Sequence, residues 1–137
     1  MADPQGGWTL VALCAAAGVS RSVGRTAIRH GLLRPEGWQD RDVPVLTAAA
    51  NLLGLYCPFG PEAAAARNVR AVAELKAALA DGQVGRDTVL LVGAAASKLA
   101  DGDPDRLARA LAGFSNGQAV TVIPVGRAAA EAGVVAG

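Results

Sequence analysis

The sequence predicts an α+β fold with two halves of different character. Between residues 8 and 55, short amphipathic stretches separated by glycines predict helices. From residue 63 onward, helical stretches alternate with two apolar runs that predict strands. The segment between them, YCPFGPE at 56–62, holds two prolines and a glycine. Such a segment is typical of a bend, so we expect one domain over 1–60 and a second over 63–137.

The first half begins with two short helices separated by a tight turn. Thr9 and Ser20 are expected to cap helices over 10–17 and 21–30, because their side-chain oxygens can accept hydrogen bonds from the first turn. A glycine follows the last apolar position of each stretch, as is typical of a helix C-terminus. Together these signals predict a helix-turn-helix.

A turn and a third helix complete the first half. Residues 32–38 contain a proline and a glycine and predict a tight hairpin or turn. Asp40 is expected to cap a helix over 41–54, with Pro44 in its first turn, where a missing N–H matters least. Trp8 and Trp38 are expected to pack into the core of this half.

The second half begins with an amphipathic helix over 63–80. Arg70 and Glu74 stand four residues apart and predict an ion pair on its polar side. Its apolar side is predicted to consist of Val69, Val72, Leu75 and Leu79.

An α-β-α-β order is predicted for the whole second half. The apolar run 88–92 predicts a buried strand, and 93–103 is compatible with a short helix. A helix capped by Asp103 is expected over 103–114, followed by a strand over 119–125. A connection of this length between two strands favours a parallel, right-handed unit. Two strands form a poor sheet alone, so we expect this half to be a dimerisation domain.

The amino-acid composition bears on self-association, charge and cellular location. Hydrophobic residues make up 52% of the chain, but only 4% of residues are aromatic, and cores rich in Ala and Val bury little area per residue. Self-association as a homodimer is therefore expected. The net charge of +1 provides no global attraction to nucleic acid or membranes, so any electrostatic site must be local. No signal peptide or membrane span is expected, which predicts a cytoplasmic protein.

A row of arginines carries the functional prediction. Arg21, Arg25 and Arg29 recur every four residues and span about 80° of arc on a helix, with Ser22 and Thr26 beside them. No acidic residue occurs from 18 to 35, whereas a merely solvated helix usually mixes both signs. Arginine can bridge two acceptors with its planar fork, as guanine O6/N7 or phosphate oxygens require. The row therefore indicates DNA binding in the major groove.

The stretch WTLVALCAAAGVSRSVGRTAIRHGLL resembles the start of the winged helix-turn-helix of the MerR family. Matching positions are Trp8-Thr9-Leu10, Gly18-Val19-Ser20, Gly31-Leu32-Leu33, and later Trp38, Asp42-Val43 and Leu46. The resemblance covers about residues 8–55 and implies that Arg25 contacts DNA. Four features differ from the family. Thr26 and Ala27 stand where it has paired tyrosines, and Gly24 stands where it has a Leu and is expected to loosen the helix by up to ~1 kcal/mol relative to Ala. The wing at 34–37 is shorter, and the family's long coiled coil is absent.

These observations predict a sequence-specific double-stranded DNA-binding protein, a bacterial transcription regulator that acts as a dimer. The expected DNA-binding residues include Arg34 and Arg41 as phosphate contacts at the flanks of the groove. The full set is Arg21, Ser22, Arg25, Thr26, Arg29, Arg34 and Arg41. One alternative is an excisionase-like, phage or mobile-element accessory protein that acts as an adaptor through protein partners. Another is a sensor with a small-molecule pocket in the second half.

No motif predicts an enzyme, a metal site or a cofactor. Cys14 falls on an apolar helix face and is expected to be buried, whereas Cys57 is expected to be exposed in the linker. The alternating acids Asp101, Asp103 and Asp105 resemble part of a calcium loop, but Pro104 interrupts them and helix capping explains them better. The phosphate-loop spacing is absent from LLVGAAASK at 90–98.

Overall fold

The computed structural model describes residues 7–115 and 119–135, and within them the chain is mixed α and β. The helices are α1 (Leu10–Ala17), α2 (Arg21–Arg29), α3 (Asp42–Leu53), α4 (Pro61–Ala80), α5 (Pro104–Ser115) and α6 (Val125–Glu131). The strands are β1 (Thr88–Val92), β2 (Ser97–Asp101) and β3 (Thr121–Ile123). Every helix predicted in the first half is present, with bounds within one residue of those expected.

Helix α3 is the centre of the core. Eight of its residues are buried, and α1, α2, α4 and α6 all pack against it. The apolar cluster around it is continuous from Leu13 of α1 through Leu46 of α3 and Leu75 of α4 to Leu90 of β1. Side chains from both predicted domains therefore contribute to one cluster.

The start of α3 differs from the prediction. Its N-cap is Arg41 and not Asp40, whose Oδ1 instead accepts a hydrogen bond from the Trp8 indole at 2.8 Å. The carboxylate that stabilises this end is Asp42, which accepts a hydrogen bond from the Gln39 N–H at 2.8 Å. The bond to Trp8 is distant in sequence, so the capping pattern of residues 40–42 could not reveal it.

The sheet has the order β2-β1-β3, and both pairings are antiparallel. Leu90 lies opposite Leu99 on one side and Ile123 on the other. The prediction of a parallel pair formed by 88–92 and 119–125 is therefore wrong. Because β2 and β3 both run against β1, they are parallel to each other, and α5 is the helical crossover between them.

The source of this error is residues 97–101, which form a strand and not the short helix expected there. Only four residues separate β1 from β2, and the Gly93 N–H closes the connection by donating to the Ala96 carbonyl at 2.9 Å. The Leu99 N–H donates to Glu74 of α4 at 3.0 Å, so α4 supports the outer strand. These contacts are distant in sequence and override the helical preference of an alanine-rich segment.

Helix α5 begins as predicted. The Asp103 carboxylate accepts hydrogen bonds from the N–H groups of Asp105 and Arg106 at 3.0 and 3.3 Å. Asp101 accepts from the Asp103 N–H and pairs with Arg106, and the backbone hydrogen bond is the main cause of the lowered pKa of Asp101. The alternating acids thus cap a helix.

The last predicted strand is shorter than expected. It ends at Ile123, and Pro124 becomes the N-cap of α6, a helix that the sequence pattern did not predict. Gly126 allows α6 to lie against the turn before β1, because a Cβ there would collide with the Gly85 carbonyl oxygen. Helix α6 covers β1 and α3 together, so it closes the core from the C-terminal side.

Helix α4 begins two residues earlier than predicted, at Pro61, and its buried face agrees with the prediction only in part. Val69 is exposed, whereas Arg67 and Asn68 are buried beside Ala71, Val72 and Leu75. The predicted pair between Arg70 and Glu74 is not formed: Arg70 donates to the Ala95 carbonyl, and Glu74 accepts from Leu99. Both side chains therefore hold the β1–β2 hairpin rather than each other.

Arg67 is 1% exposed, and its partners are neutral oxygens rather than a carboxylate: its Nε donates to the side-chain oxygen of Asn68 at 3.1 Å, and the terminal nitrogens donate to main-chain carbonyls. Its Nη1 donates to the carbonyls of Tyr56, Gly93 and Ala94 at 3.2–3.3 Å, and its Nη2 to that of Leu55 at 3.4 Å. Arg67 thereby joins the loop after α3 to the β1–β2 connection.

We expect Arg67→Met to lower the free energy of unfolding by about 2–4 kcal/mol, because four carbonyls lose the donor that Arg67 supplies, although Ala94 keeps the Cys57 thiol as a donor. Arg70→Met is the matched control, since Arg70 lies on the same helix, is exposed and donates to one carbonyl. Urea unfolding of both variants measures the difference. Equal stability of the two variants would contradict a structural role for the Arg67 contacts.

Candidate nucleic-acid interface

A three-residue turn, 18–20, joins helices α1 and α2, and specific residues cap the helices around it. Thr9 caps α1, with its hydroxyl accepting from the Ala12 N–H at 3.1 Å. Gly18 has φ of 72°, in the left-handed region that favours glycine, and it reverses the chain after α1. Ser20 caps α2 by accepting from the Val23 N–H at 3.2 Å. Each feature was predicted from the sequence.

The two sides of α2 differ as the residue spacing predicts. Arg21, Arg25 and Arg29 are exposed, and Ser22 beside them is exposed as well. On the opposite side, small residues are buried against α1 and α3: Gly24 and Ala27 are buried, and Val23 and Ile28 are half-buried. The small residues let α2 lie close to its neighbours while its arginines face outward.

No acidic side chain neutralises this row within residues 7–115 and 119–135. The ion pairs in that part of the chain involve Arg34, Arg106 and Arg127. The α2 surface, defined here as Arg21, Ser22, Arg25, Thr26 and Arg29, therefore carries three positive charges. Exposed guanidinium groups in a row are well suited to bind phosphates or the edges of guanine bases.

Thr26 has a role that its place in the row did not reveal. Its hydroxyl donates to the Ser22 carbonyl at 2.9 Å and accepts from Nη2 of Arg29 at 3.1 Å. The hydroxyl therefore holds the Arg29 guanidinium on the surface of α2. A side chain held in place loses less rotamer entropy when it binds a ligand.

Close packing fixes α2 against α1. A Cβ on Gly24 would lie 2.6 Å from the Cys14 sulfur, well inside van der Waals contact. This contact explains why a glycine stands in the middle of α2 despite its poor helix propensity. Cys14 is buried, as predicted, and burial raises the pKa of its thiol, while Arg21 and Arg25 act in the opposite direction.

The segment after α2 forms a turn, and no strand occurs within residues 31–41. Gly37 has φ of 72°, and the Trp38 indole donates to the Arg34 carbonyl at 2.7 Å. The Trp8 N–H donates to the Trp38 carbonyl at 3.1 Å, so this turn is tied to the start of α1. Both tryptophans are half-buried against the core, in keeping with the packing role expected of them.

The two flanking arginines differ in their surroundings. The Arg34 Nε donates to Asp42 at 3.2 Å, and this carboxylate is only 1% exposed. Its two terminal nitrogens form no hydrogen bond with the residues that the structure describes. Arg41 is exposed at the start of α3. Lys76 of α4 lines one cavity with both of them, and no local pattern could have predicted this because Lys76 is far from both in the chain.

Three further sequence expectations concern Cys57, metal binding and membrane spans. Cys57, expected to be exposed, is buried, and its thiol donates to the Ala94 carbonyl at 3.1 Å. Over residues 7–115 and 119–135, no group of three His, Cys, Asp or Glu side chains is arranged to hold a metal ion. No helix in that part of the chain is both long and apolar enough to cross a bilayer.

Comparison of the chain with known protein families, with curated proteins and with solved structures returned no match. The functional argument therefore depends on the residues and their geometry.

The contact between Gly24 and Cys14 can be tested with a double-mutant cycle. We expect Gly24→Ala to destabilise the protein by about 1–3 kcal/mol, because the new methyl group overlaps the sulfur. In a Cys14→Ala background the same change should be neutral or stabilising, since only the helix-propensity gain of up to ~1 kcal/mol remains.

Gly113→Ala is the control, because a Cβ at this position of α5 meets open space. Urea unfolding of the four variants of the cycle gives the coupling energy. If the effects of the changes at 14 and 24 simply add, the close approach of α1 and α2 does not depend on this pair.

Proposed function

We propose that the chain is a sequence-specific double-stranded DNA-binding protein, a transcription regulator whose helix α2 enters the major groove. The observation that carries the proposal is the α2 surface: three exposed arginines on one side of a capped helix, with no acidic partner among the described residues. The resemblance of residues 8–55 to the MerR helix-turn-helix is consistent with this proposal.

The dimensions of α2 suit a groove. A helix with its side chains is about 10–12 Å across, and the major groove of B-DNA is about 12 Å wide. Because α1 and α3 hold only its buried side, the helix can present its arginines to base edges. We assign base contacts to Arg25 and Arg29, and base or phosphate contacts to Arg21 and Ser22 at the N-terminal end.

Phosphate contacts are assigned to the flanks of α2. Arg41 is exposed and free of ion pairs with the described residues, so it can approach the backbone directly. Arg34 would use its terminal nitrogens, because its Nε is held by Asp42. Thr26 contributes through Arg29, whose guanidinium it positions.

A dimer is part of this proposal. Two copies would present two α2 helices to two half-sites about one helical turn apart. Two features support association through residues 63–137: the sheet has three strands, so β2 and β3 are both edges, and Val122 on β3 is 42% exposed. A DNA-bound mass of two chains per site in analytical ultracentrifugation would agree with it.

One observation favours a second candidate, an accessory protein or adaptor that acts through protein contacts. Tyr56 and Phe59 of the loop before α4 are 83% and 66% exposed, and aromatic side chains are enriched at the centres of protein interfaces. Under this candidate, changing both aromatics would abolish partner binding, and changing the α2 arginines would not.

The DNA-binding proposal predicts that Arg25→Gln lowers affinity for selected sites by about 5- to 150-fold, since a good bidentate contact to a base contributes ~1–3 kcal/mol. Arg25→Lys should retain binding to random duplex DNA but lose preference for the selected site, because lysine keeps the charge without the fork. Fluorescence anisotropy with selected and random duplexes measures both affinities.

Arg109→Gln is the matched control, since Arg109 is exposed on α5 and its loss changes the net charge equally. For the unaltered chain, log affinity should fall with log salt by about 0.9 per phosphate neutralised. Absence of binding at low salt, or equal effects of the changes at 25 and 109, would exclude α2 as the DNA-reading helix.

A further inference from the structure

Three cationic side chains from different elements meet around one cavity at the junction of the two halves. Arg34 comes from the turn after α2, Arg41 from the start of α3, and Lys76 from α4. The cavity has a volume of about 200 Å³, and Val45 and Leu79 form its apolar wall. We refer to it as the 34/41/76 pocket.

The charges of this pocket do not cancel. One carboxylate, Asp42, lies among the lining residues, and it is buried and already bonded to Arg34 and to the Gln39 N–H. Its single negative charge offsets one of the three positive charges. Two positive charges therefore remain in excess within the lining, and Lys76 as a whole is half-buried.

The buried carboxylate also organises the pocket. Asp42 is 1% exposed, and its two oxygens hold the Arg34 Nε at 3.2 Å and the Gln39 N–H at 2.8 Å. This arrangement fixes the Arg34 fork and leaves its terminal nitrogens as donors. Arg34, Arg41 and Lys76 come from three different parts of the chain, so the pocket offers two guanidinium groups and an ammonium as donors to an anion.

We propose that the 34/41/76 pocket binds a phosphate group. The excess of two positive charges matches a phosphate dianion, and arginine forks and lysine are the side chains that proteins use for phosphate. A cavity of this volume admits a phosphate with a small substituent but does not enclose a whole nucleotide. The group belongs either to a free small phosphate or to the DNA backbone, and the site does not depend on the DNA-binding proposal.

Lys76 can be tested against a matched control, because the chain has only one other lysine. Lys98 is exposed on β2 and does not line the pocket, so Lys98→Gln removes the same charge elsewhere. Arg41→Gln is a second pocket variant with little structural risk, since Arg41 is exposed and its side chain makes no helix-capping bond. Circular dichroism checks that all three variants are folded.

The first arm measures the melting temperature of the full chain in sodium phosphate against sodium chloride at matched ionic strength. A Kd of ~1 mM at ~10 mM phosphate would raise Tm by about 5 °C. The unaltered chain and Lys98→Gln should show this rise, and Lys76→Gln and Arg41→Gln should lose most of it. That result supports a site for a free phosphate.

The second arm measures DNA affinity against salt for the two lysine variants. If the pocket holds a backbone phosphate, Lys76→Gln should reduce the slope of log affinity on log salt by about 1, and Lys98→Gln should leave it unchanged. Free phosphate would then have little effect on Tm.

Different results overturn the DNA-binding proposal and the phosphate-pocket proposal. A chain that binds no DNA but is stabilised by phosphate through Lys76 retains the pocket and overturns the proposed function. A chain that binds DNA through Arg25, with equal salt slopes for both lysine variants and no phosphate-specific rise in Tm, overturns the pocket.

Discussion

The structure depends on the burial of α3. Four helices pack around its twelve residues, and they can approach it because much of its surface is Ala and Val rather than larger side chains. Close helix packing of this kind gives many small dispersion contacts in place of a few aromatic ones. The low aromatic content of the chain is therefore compatible with a continuous core, provided that both halves pack on the same helix. The apolar cluster does run through both.

A second constraint connects the halves through polar groups. Carbonyls of the loop after α3 and of the β1–β2 connection accept hydrogen bonds from the same side chain. Arg67 supplies donors to both, and Cys57 donates to one of the same carbonyls. Carbonyl oxygens take the place of a carboxylate here, so the guanidinium is satisfied without a second buried charge.

Local signals predicted the helices well, because their causes are local. The hydroxyls of Thr9 and Ser20 and the left-handed Gly18 act within four residues of their own position. Sheet topology failed because its cause is not local: the strand over 97–101 forms only by pairing with β1 and by support from Glu74. The same reason hid Arg67, since an arginine on an amphipathic helix normally faces water.

In the candidate site, too, the features with local causes were predicted and those that depend on distant contacts were not. Periodicity predicted which residues α2 exposes, because a helix fixes that order by itself. It could not predict that Thr26 positions Arg29, or that Arg34 is held by Asp42, because those bonds depend on rotamers and on the path of the chain after α2. Gly24 was expected only to loosen the helix. Its contact with Cys14 gives it a packing role instead.

A net charge near zero does not prevent a local cationic surface, and the placement of the acids explains why. Several acids are committed to structure elsewhere: Asp42 to Arg34, Asp101 to Arg106, and Glu131 to Arg127. Others bond neutral groups, as Asp40 does with Trp8 and Glu74 with a strand N–H. Because screening confines electrostatic attraction to about a Debye length, ~10 Å, an anion at α2 is attracted mainly by the charges nearest to it. The charge pattern near α2 therefore governs short-range binding, and the overall balance of the chain does not.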